Sequence, residues 1–343
     1  MLSRRAWLLV LATTLLLAVS STGHAASFTP DPVDWAAAKK EGTVSWYTST
    51  PIEAAQRIAK LFEQETGIRV ELFRSGGTAV LRRFNQELSA GRIAADVITA
   101  SDPAEAEALA RRGVLVPFRP KNFDKVFDYA KHPEGYYIAQ RMNLLGIIVR
   151  EDKVSPADMP KNWTDLTDPK YKGKMVMPDP SFTALQLMAV GTLSRKYGWD
   201  FYQKLKANDI MIVQGHQQVS DTLKRGERVI AAEGSDSYAY DDRKAGHKIK
   251  TILPSDGAFA IPSPTAIVKG SPHPNAAKAF AEFMIGDGAQ AILTEWGNYS
   301  SRADVKPPVG YEALTTVKVL EVDYDYLEKE SANIKQKFNE IYQ

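Results

Sequence analysis

The sequence predicts an α/β protein folded as two lobes. Strand-like and helix-like segments alternate through most of the chain, which favours mostly parallel sheets covered by helices. About 318 residues remain after a predicted N-terminal leader, and a chain of that length is too long for one compact core. In mid-chain, the apolar run at residues 144–149 has the length of a buried strand and is too short to cross a membrane. We therefore expect two α/β lobes joined near this strand.

Residues 1–25 have the pattern of a secretory signal peptide. Arg4 and Arg5 precede an apolar stretch at residues 6–19, and small residues are placed for cleavage after Ala25. The apolar stretch is short for a membrane anchor, and the chain has no Cys for attachment of a lipid. The mature protein is therefore expected to be soluble, exported to a bacterial periplasm and free of disulfides.

Composition and charge argue against two classes of protein. Without the leader, basic and acidic side chains are equal in number at 41 each, so nucleic acid is not an expected partner. Apolar residues make up 44% of the chain and aromatic residues 10%, which is too much for a disordered protein. The sequence shows neither an internal repeat nor a low-complexity segment.

The first lobe opens with a strand, turn and helix pattern that repeats. Residues 43–47 and 68–73 alternate between apolar and polar side chains, as strands do. Apolar residues recur at helical spacing in 52–66, Pro51 precedes that helix and Gly67 ends it. The expected elements are a helix at 35–40, a strand at 43–47, a helix at 52–66, a strand at 68–73, a helix at 79–89, a strand at 95–99 and a helix at 104–111.

Residues 138–150, reading IAQRMNLLGIIVR, are predicted to carry the chain from one lobe into the other. This segment begins amphipathic and then becomes solidly apolar, as a strand covered on both faces does. An arginine that enters a buried strand needs a partner, and an internal carboxylate and a ligand anion suit Arg141 equally well. We expect Arg141 and Asn143 to face the cleft between the lobes.

The second lobe repeats the alternation, and the chain then returns to the first. A strand at 265–269 is interpreted as the return. This places residues 26–139 and 265–343 in the first lobe and residues 140–264 in the second. The expected elements are strands at 175–177, 210–213 and 228–232, helices at 182–197, 200–207 and 218–225, and, after the return strand, helices at 275–286 and 287–296 and a charged C-terminal helix.

Four polar turns are predicted to open helices toward the cleft, at 48–50, 75–78, 181–183 and 214–217. Each turn taken alone is better explained as an ordinary helix cap, but the free backbone N–H groups of four helix starts together favour an anion. Glycines in the second turn let the backbone approach a ligand. His216 is either a pocket donor or a solvated loop residue. The candidate ligand-binding residues are Ser49, Thr50, Ser75, Gly76, Gly77, Thr78, Ser101, Asp102, Arg141, Asn143, Ser181, Thr183, Gln214, His216, Glu233, Ser235 and Tyr238.

Several segments together resemble a known family. TGIRVELFRSGG, AADVITASD, GVLVPF, YKGKMVMPDPSFT and HPNAAKAFAEFMIGDGAQAIL are similar to periplasmic solute-binding components of ABC importers. The subclass contains ferric-ion-binding proteins and their relatives that bind small phosphorylated or carboxylated organic molecules. The resemblance covers essentially the whole chain after the leader. It implies a type II periplasmic binding fold with a two-strand hinge, and a membrane permease as partner.

Ferric iron is the alternative ligand that this resemblance raises. Ferric-binding relatives present a histidine in the first βα turn, an acidic residue after the third strand and an adjacent tyrosine pair. Here the first turn has Pro51 and no histidine, and Ala239 separates Tyr238 from Tyr240. An iron site would have to use Asp102, Tyr238 and Tyr240, whose oxygens suit a hard cation.

An enzyme is the rival class of function, and a secreted hydrolase is its best form. The chain contains no GxSxG, HExxH, P-loop or GxGxxG motif, and His216 with Asp221 is too little to indicate a catalytic base. The sequence thus predicts a monomeric, non-catalytic binding protein without cofactor or resident metal. We expect it to close two lobes on a small anionic solute and deliver it to a permease.

Overall fold

The structure, a computed structural model, describes residues 28–343. The predicted signal peptide at residues 1–25 lies outside the described residues. Within the described range, no helix is both long enough and apolar enough to cross a membrane.

The first lobe alternates strands and helices as its sequence pattern indicates. Helix 52–66 buries Ala55, Ile58 and Phe62 on one face, and Gly67 ends it in the left-handed conformation with φ 75°. Its elements are α1 (Trp35–Glu41), β1 (Thr43–Thr48), α2 (Ile52–Thr66), β2 (Arg69–Arg74), α3 (Gly77–Ser89), β3 (Val97–Thr99), α4 (Pro103–Arg111) and β4 (Leu115–Val116).

Strand β5 (Ile138–Arg150) has the bounds that the sequence pattern predicts. Every residue in it except Arg150 is buried, including Gln140, Arg141 and Asn143. A strand with both faces covered explains why its second half is solidly apolar.

The rest of the chain contains the second lobe and the return to the first. The helix predicted from Phe182 begins at Ala184, and three elements, α8, β9 and β11, were not predicted. The elements are β6 (Met175–Pro178), α5 (Ala184–Tyr197), α6 (Asp200–Ala207), β7 (Met211–Val213), α7 (His216–Arg225), β8 (Ile230–Ser235), α8 (Asp236–Lys244), β9 (Ile249–Ile252), β10 (Phe259–Val268), α9 (Pro274–Met284), α10 (Asp287–Glu295), β11 (Tyr299–Ser300) and α11 (Tyr324–Tyr342). Short 3-10 helices lie at Phe123–Lys125, Asp128–Ala130, Pro156–Asp158, Trp163–Thr167, Pro169–Tyr171 and Leu314–Thr316.

The strands of the described residues form one continuous sheet through both lobes. Its main path has the order β2-β1-β3-β10-β5-β8-β6-β7, with β4 beside β10, and β9 and β11 beside β5. Pairing is parallel in β2-β1-β3 and in β8-β6-β7. At the centre, β10 and β5 pair antiparallel, and Thr265 lies opposite Ile138. These two long strands are therefore the structural link between the two parallel halves.

Each lobe has its own apolar core. In the first lobe, Trp46 and Phe62 pack against Phe280 of α9, with ring centroids 5.1 and 5.0 Å apart. In the second, Trp163 and Tyr202 belong to a larger cluster that covers β5, β6 and α5. The division of the buried residues into several separate clusters matches the expectation that a chain of this length does not form a single core.

The C-terminal helix departs from the predicted lobe division. Leu327, Ile334 and Phe338 of α11 belong to the core cluster of the second lobe, although residues 265–343 were assigned to the first. Helix α11 also contacts α4, where Arg111 forms an ion pair with Glu328. The remainder of the division stays a prediction, and α11 is a segment that packs on both lobes.

Candidate ligand-binding cleft

A cavity of about 510 Å³ lies between the lobes, at the edge of the sheet where the first turns of several helices meet. Both lobes contribute to its wall. The lining residues are Ser49, Pro51, Arg74, Ser75, Gly76, Gly77, Ala79, Arg82, Ser101, Arg141, Asn143, Phe182, Thr183, Ala184, Leu185, Gln214, Gly215, His216, Gln217, Gln218, Ser235, Ser237 and Tyr238.

Helix starts provide much of the polar wall. Helices α3, α5, α7 and α8 each contribute residues from their first turn or from the turn just before it. The first N–H groups of a helix have no intrahelical acceptor, and they carry the positive end of the helix dipole. An anion in the cleft would therefore meet favourable partial charges from both lobes.

Arg141 lies at the base of the cleft and is 2% exposed. Its Nη1 donates to Thr50 Oγ1 at 2.9 Å and its Nη2 to Ser101 Oγ at 3.4 Å, while Nε has no partner. None of the described acidic side chains forms an ion pair with it. Burial lowers the pKa of Arg141 to about 9, an effect that Tyr238 opposes and Arg74 reinforces. The guanidinium is thus a buried cation at neutral pH without an internal counter-ion.

Arg74 is a second cation beside the first. It ends β2, directly before Ser75, and its Nε donates to the backbone oxygen of Thr50 at 3.0 Å. Thr50 is fully buried and does not line the cleft. The prediction that Thr50 contacts ligand is therefore replaced by a supporting role, since it positions Arg141 through its hydroxyl and Arg74 through its carbonyl.

Asn143 ties the two central strands to the first lobe. Its Nδ2 donates to Ser263 Oγ at 2.7 Å, Ile261 O at 2.9 Å and Ser101 Oγ at 3.3 Å. The Ser101 and Ser263 hydroxyls are themselves 2.8 Å apart. The network fixes Ser101, a cleft residue, to the strands that link the lobes.

His216 is the first residue of α7 and lines the cleft from the second lobe. It is 7% exposed, and neither ring nitrogen has a hydrogen-bond partner. Burial lowers its pKa to about 4, so the ring is neutral at pH 7, with one N–H donor and one acceptor. A buried imidazole without partners is suited to bind a polar group of a ligand. Of the two predicted alternatives, the structure favours the pocket donor over the solvated loop residue.

The turn after β2 contacts the second lobe across the cleft. A methyl group added at Gly76 would lie 3.4 Å from the backbone oxygen of Phe182, and one at Gly77 would lie 3.9 Å from Ala184 Cβ. The two glycines thus bring the first-lobe backbone against the start of α5.

Five predicted site residues do not line the cleft. Thr50 has the supporting role given above. Asp102 instead caps α4, where its Oδ1 accepts from the backbone N–H of Glu105 at 3.1 Å. Thr78 follows the lining residue Gly77 on α3, and Ser181 precedes the lining segment at 182–185, but neither reaches the wall.

Glu233 is the fifth and the clearest correction. It is fully buried in the second lobe, where its carboxylate accepts from the Tyr202 hydroxyl at 2.7 Å and from Gln186. Its backbone has a positive φ of 59° beside a register shift between β5 and β8. This conformation turns the side chain into the core, a feature that strand periodicity does not predict.

Several residues that line the interlobe cleft were not predicted from the sequence. Arg74 and Arg82 are the most consequential, since they carry charge, and Phe182 adds an aromatic ring that is 49% exposed. Arg74 could have been found, because it directly precedes the polar turn at the end of β2. Arg82 could not, since it lies one helical turn beyond the predicted loop.

The residues proposed for iron are not brought together. Tyr238 lines the cleft, but Tyr240, two positions along the helix α8, packs its ring on Tyr311 with centroids 5.7 Å apart. Asp102 caps α4 outside the wall. Residues two apart on a helix face nearly opposite directions, so one cation cannot bind both tyrosines here. Among residues 28–343, no group of three His, Asp or Glu side chains is arranged to hold a metal ion.

A second groove, of about 680 Å³, lies on the surface between α5 and residues 320–326. It is open, and Arg195 in its wall pairs with Asp323 at 2.5 Å. Acidic side chains line this groove, at Glu321, Asp323 and Asp325, whereas none of the described residues that line the interlobe cleft is acidic.

Residues 93–330 match the family described as bacterial extracellular solute-binding protein. A putative 2-aminoethylphosphonate-binding periplasmic protein of Salmonella typhimurium is 26% identical over 279 residues, which cover 78% of this chain and 77% of that protein.

Solved structures show the same fold at lower identity. The periplasmic binding protein AfuA of Actinobacillus pleuropneumoniae, solved with exogenous fructose-6-phosphate bound, superposes with a TM-score of 0.77 at 21% identity and covers 87% of this chain and 98% of its own. Iron-bound HitA of Pseudomonas aeruginosa superposes with a TM-score of 0.74 at 20% identity, covering 86% and 99%. These structures identify a type II periplasmic binding fold.

Proposed function

The chain belongs to the family of bacterial extracellular solute-binding proteins, and from this premise we propose that its interlobe cleft captures a small organic anion, phosphorylated or carboxylated. A solute-binding protein of this kind serves an ABC importer.

The observation that carries the proposal is the unpaired charge of Arg141. A buried guanidinium without a carboxylate partner is costly unless a ligand supplies the negative charge. Its unbonded Nε and the two unbonded ring nitrogens of His216 leave hydrogen-bonding capacity for the ligand. Helix starts from both lobes add donors around the same space.

The named relatives support an anionic ligand without fixing it. One carries a phosphonate in its name, and one structure was solved with a sugar phosphate. The iron-bound neighbour keeps ferric ion as the alternative. That alternative has weaker support, because Tyr240 packs outside the cleft and Asp102 caps a helix.

Capture is proposed to follow closure of the lobes about β5 and β10. The ligand would stabilise the closed arrangement by completing hydrogen bonds from both sides. The protein would be exported to the periplasm, lose its signal peptide by cleavage after Ala25, and act there as a monomer. The closed, ligand-bound protein would then dock on its permease. Among residues 28–343, the His216 ring has no hydrogen bond to a serine that it could activate, so the structure gives a hydrolytic role no support.

Thermal unfolding tests the proposal. The protein beginning at residue 26 is unfolded, freed of ligand, refolded and heated with sugar phosphates, alkyl phosphates, dicarboxylates, inorganic phosphate, amino acids or ferric citrate. A ligand at a hundred times its dissociation constant adds about 2.7 kcal/mol, and the midpoint should rise by about 5 °C. Stabilisation by organic anions is expected. A response to ferric citrate alone, with a tyrosinate absorption band, would show that the iron alternative is right.

A further inference from the structure

Resting on the proposed function, we infer that the ligand's anchoring group is a doubly charged phosphoryl group and that the ligand bears no ammonium group. The inference comes from the balance of charges around the cleft. It narrows the class of organic anions to phosphate esters and phosphonates without an amine, so it excludes amino acids, monocarboxylates and aminated phosphonates.

The positive charges of the cleft wall are not balanced by acidic side chains. Three arginines line it, Arg74, Arg82 and Arg141, and none of the described lining residues is an aspartate or glutamate. None of the three arginines is ion-paired to a described acidic side chain. The cleft therefore has a positive charge that a bound solute must balance.

Two of these charges lie next to each other. Arg74 and Arg141 both donate to Thr50, one to its carbonyl and the other to its hydroxyl. The proximity of Arg74 also contributes to lowering the pKa of Arg141. A carboxylate with a single charge can balance one guanidinium, whereas a phosphoryl group carries about −1.5 to −2 at pH 7 and three acceptor oxygens. A phosphoryl dianion between the two arginines would thus relieve a repulsion that a monocarboxylate leaves in place.

Three carboxylates close in sequence to lining residues have partners outside the cleft. Asp102 accepts from the N–H of Glu105, and Glu233 from Tyr202. Asp236, on α8, is 1% exposed, accepts from the Tyr311 hydroxyl at 3.1 Å and lies 3.7 Å from Arg243. Because no described acidic side chain lines the cleft, an ammonium group there would lie among arginines with no carboxylate in the wall, which disfavours it.

The remaining wall indicates an organic part on the ligand. Pro51, Ala79, Phe182, Ala184 and Leu185 supply apolar surface. A volume of about 510 Å³ lies within the range of organic ligand sites, so inorganic phosphate would leave most of it to water. The apolar surface is available to the carbon skeleton of a phosphate ester.

The test uses matched probes that differ in one group. Ethyl phosphate and O-phosphoethanolamine differ only in the ammonium group, as do glucose-6-phosphate and glucosamine-6-phosphate, while propionate replaces the phosphate by a carboxylate. Binding is measured by calorimetry at pH 7.5 on the ligand-stripped protein. At least one unaminated phosphate should bind about tenfold or more tighter than its aminated partner and than propionate.

Variants test the role of the paired charges. Arg74→Gln should weaken the best phosphate about tenfold or more and change propionate binding less, since it removes one charge-assisted contact. Arg92→Gln is the matched control, because Arg92 is exposed and does not line the cleft. An Arg74→Gln protein that binds the phosphate with native affinity would contradict the shared dianion site.

The outcomes separate this inference from the proposed function. Equal or tighter binding of an aminated probe, or preference for propionate or a dicarboxylate, overturns the inference and leaves the anion site standing. Absence of binding by every anion, phosphate and carboxylate alike, overturns the proposed function and the inference with it.

Discussion

Arg141 is the residue at which sequence and structure agree most closely. A single arginine between apolar residues of a strand is conspicuous in the sequence, because burial of an unpaired charge is unfavourable. The structure leaves it without a carboxylate partner and with its Nε unbonded. Of the two partners that the sequence left open, an internal acid is absent among the described residues, and a ligand anion remains.

Replacing Arg141 should abolish anion binding and preserve the fold. In Arg141→Ala the hydroxyls of Thr50 and Ser101 keep other partners, so folding should persist, while loss of the buried cation should reduce affinity about a hundredfold or more. Calorimetry with the best anion of the panel measures the affinity, and circular dichroism checks the fold. Arg92→Gln again serves as the control. Native affinity in a folded Arg141→Ala protein would show that the arginine is structural.

Glu233 illustrates what periodicity cannot predict. Its position directly after the strand predicted at 228–232 placed it among the cleft candidates, but the left-handed φ of 59° turns it into the core. Burial raises the pKa of its carboxyl to about 7, against hydrogen bonds from Tyr202 and Gln186 that favour the charged form. The folded protein therefore favours the protonated carboxyl. The charged carboxylate destabilises the folded state, and this destabilisation is fully present only above pH 7.

Glu233→Gln should change how stability depends on pH. Because the folded pKa lies above the unfolded value, native Glu233 gains stability as pH falls from about 8 to 5, whereas glutamine does not titrate. The variant's stability relative to the native protein should therefore fall over this range, by about 2 kcal/mol. Urea unfolding at several pH values measures the difference, and other titrating groups cancel between the two proteins. Parallel pH profiles would contradict the prediction.

At the scale of elements, strands and amphipathic helices were predictable where their pattern was strong. Strand β5 has the predicted bounds, and α2 begins and ends as its apolar spacing and Gly67 indicate. Helix α8 was missed because eight of its nine residues are charged or hydroxyl-bearing and three are buried. Edge strand β9 was missed because it is short and contains Lys250. Tertiary contacts, not local preference, stabilise these two elements.

The contact between α5 and α11 depends on Gly191. A methyl group at this position would overlap Leu327 Cδ2 and lie 3.0 Å from Ile334 Cδ1. Gly191→Ala should therefore destabilise the protein by about 1–3 kcal/mol, despite the better helix propensity of alanine. Chemical denaturation measures the free energy of unfolding.

A double variant supplies the control for this prediction. Leu327→Ala alone removes core volume, and it should cost about 2–5 kcal/mol. In the double variant with Gly191→Ala, the shortened side chain at 327 leaves space for the new methyl group. The destabilisation of the double variant should therefore be smaller than the sum of the two single-variant destabilisations by about 1 kcal/mol or more. Strict additivity would mean that Gly191 and Leu327 do not contact each other in solution.

At the scale of the whole molecule, the C-terminal helix is expected to be required for folding. Deleting residues 324–343 removes three core side chains, Leu327, Ile334 and Phe338, each contributing about 1.5–3 kcal/mol by burial. The truncated protein should lose cooperative thermal unfolding. A short Gly-Ser insertion after Val309, which is 87% exposed, is the control and should unfold like the native protein. A truncated protein with a native midpoint would show that α11 only covers the surface.

The sequence allowed us to predict that polar turns meet at the site, but not how many arginines line it. Alternating strands and helices place polar turns at one edge, which is why Ser75, Gly77, Ser101 and His216 meet in the cleft. Whether a turn residue points into the cleft or caps its own helix, as Asp102 does, depends on local dihedral angles. Residues one helical turn further on, such as Arg82, are placed by the orientation of the helix, which no short pattern encodes.

The pairing of β10 has a consequence for when the protein can fold. Strand β10 lies between β3 and β5, and Thr265 bonds to Thr99, which is 166 residues earlier in the chain. Until residues 259–268 have been synthesised, β3 has an unpaired edge, and β5 lacks the strand that links it to the first parallel half. Such distant pairing slows folding. Most of the chain must therefore exist before the native sheet can close, so the growing polypeptide is without its complete sheet through most of its synthesis.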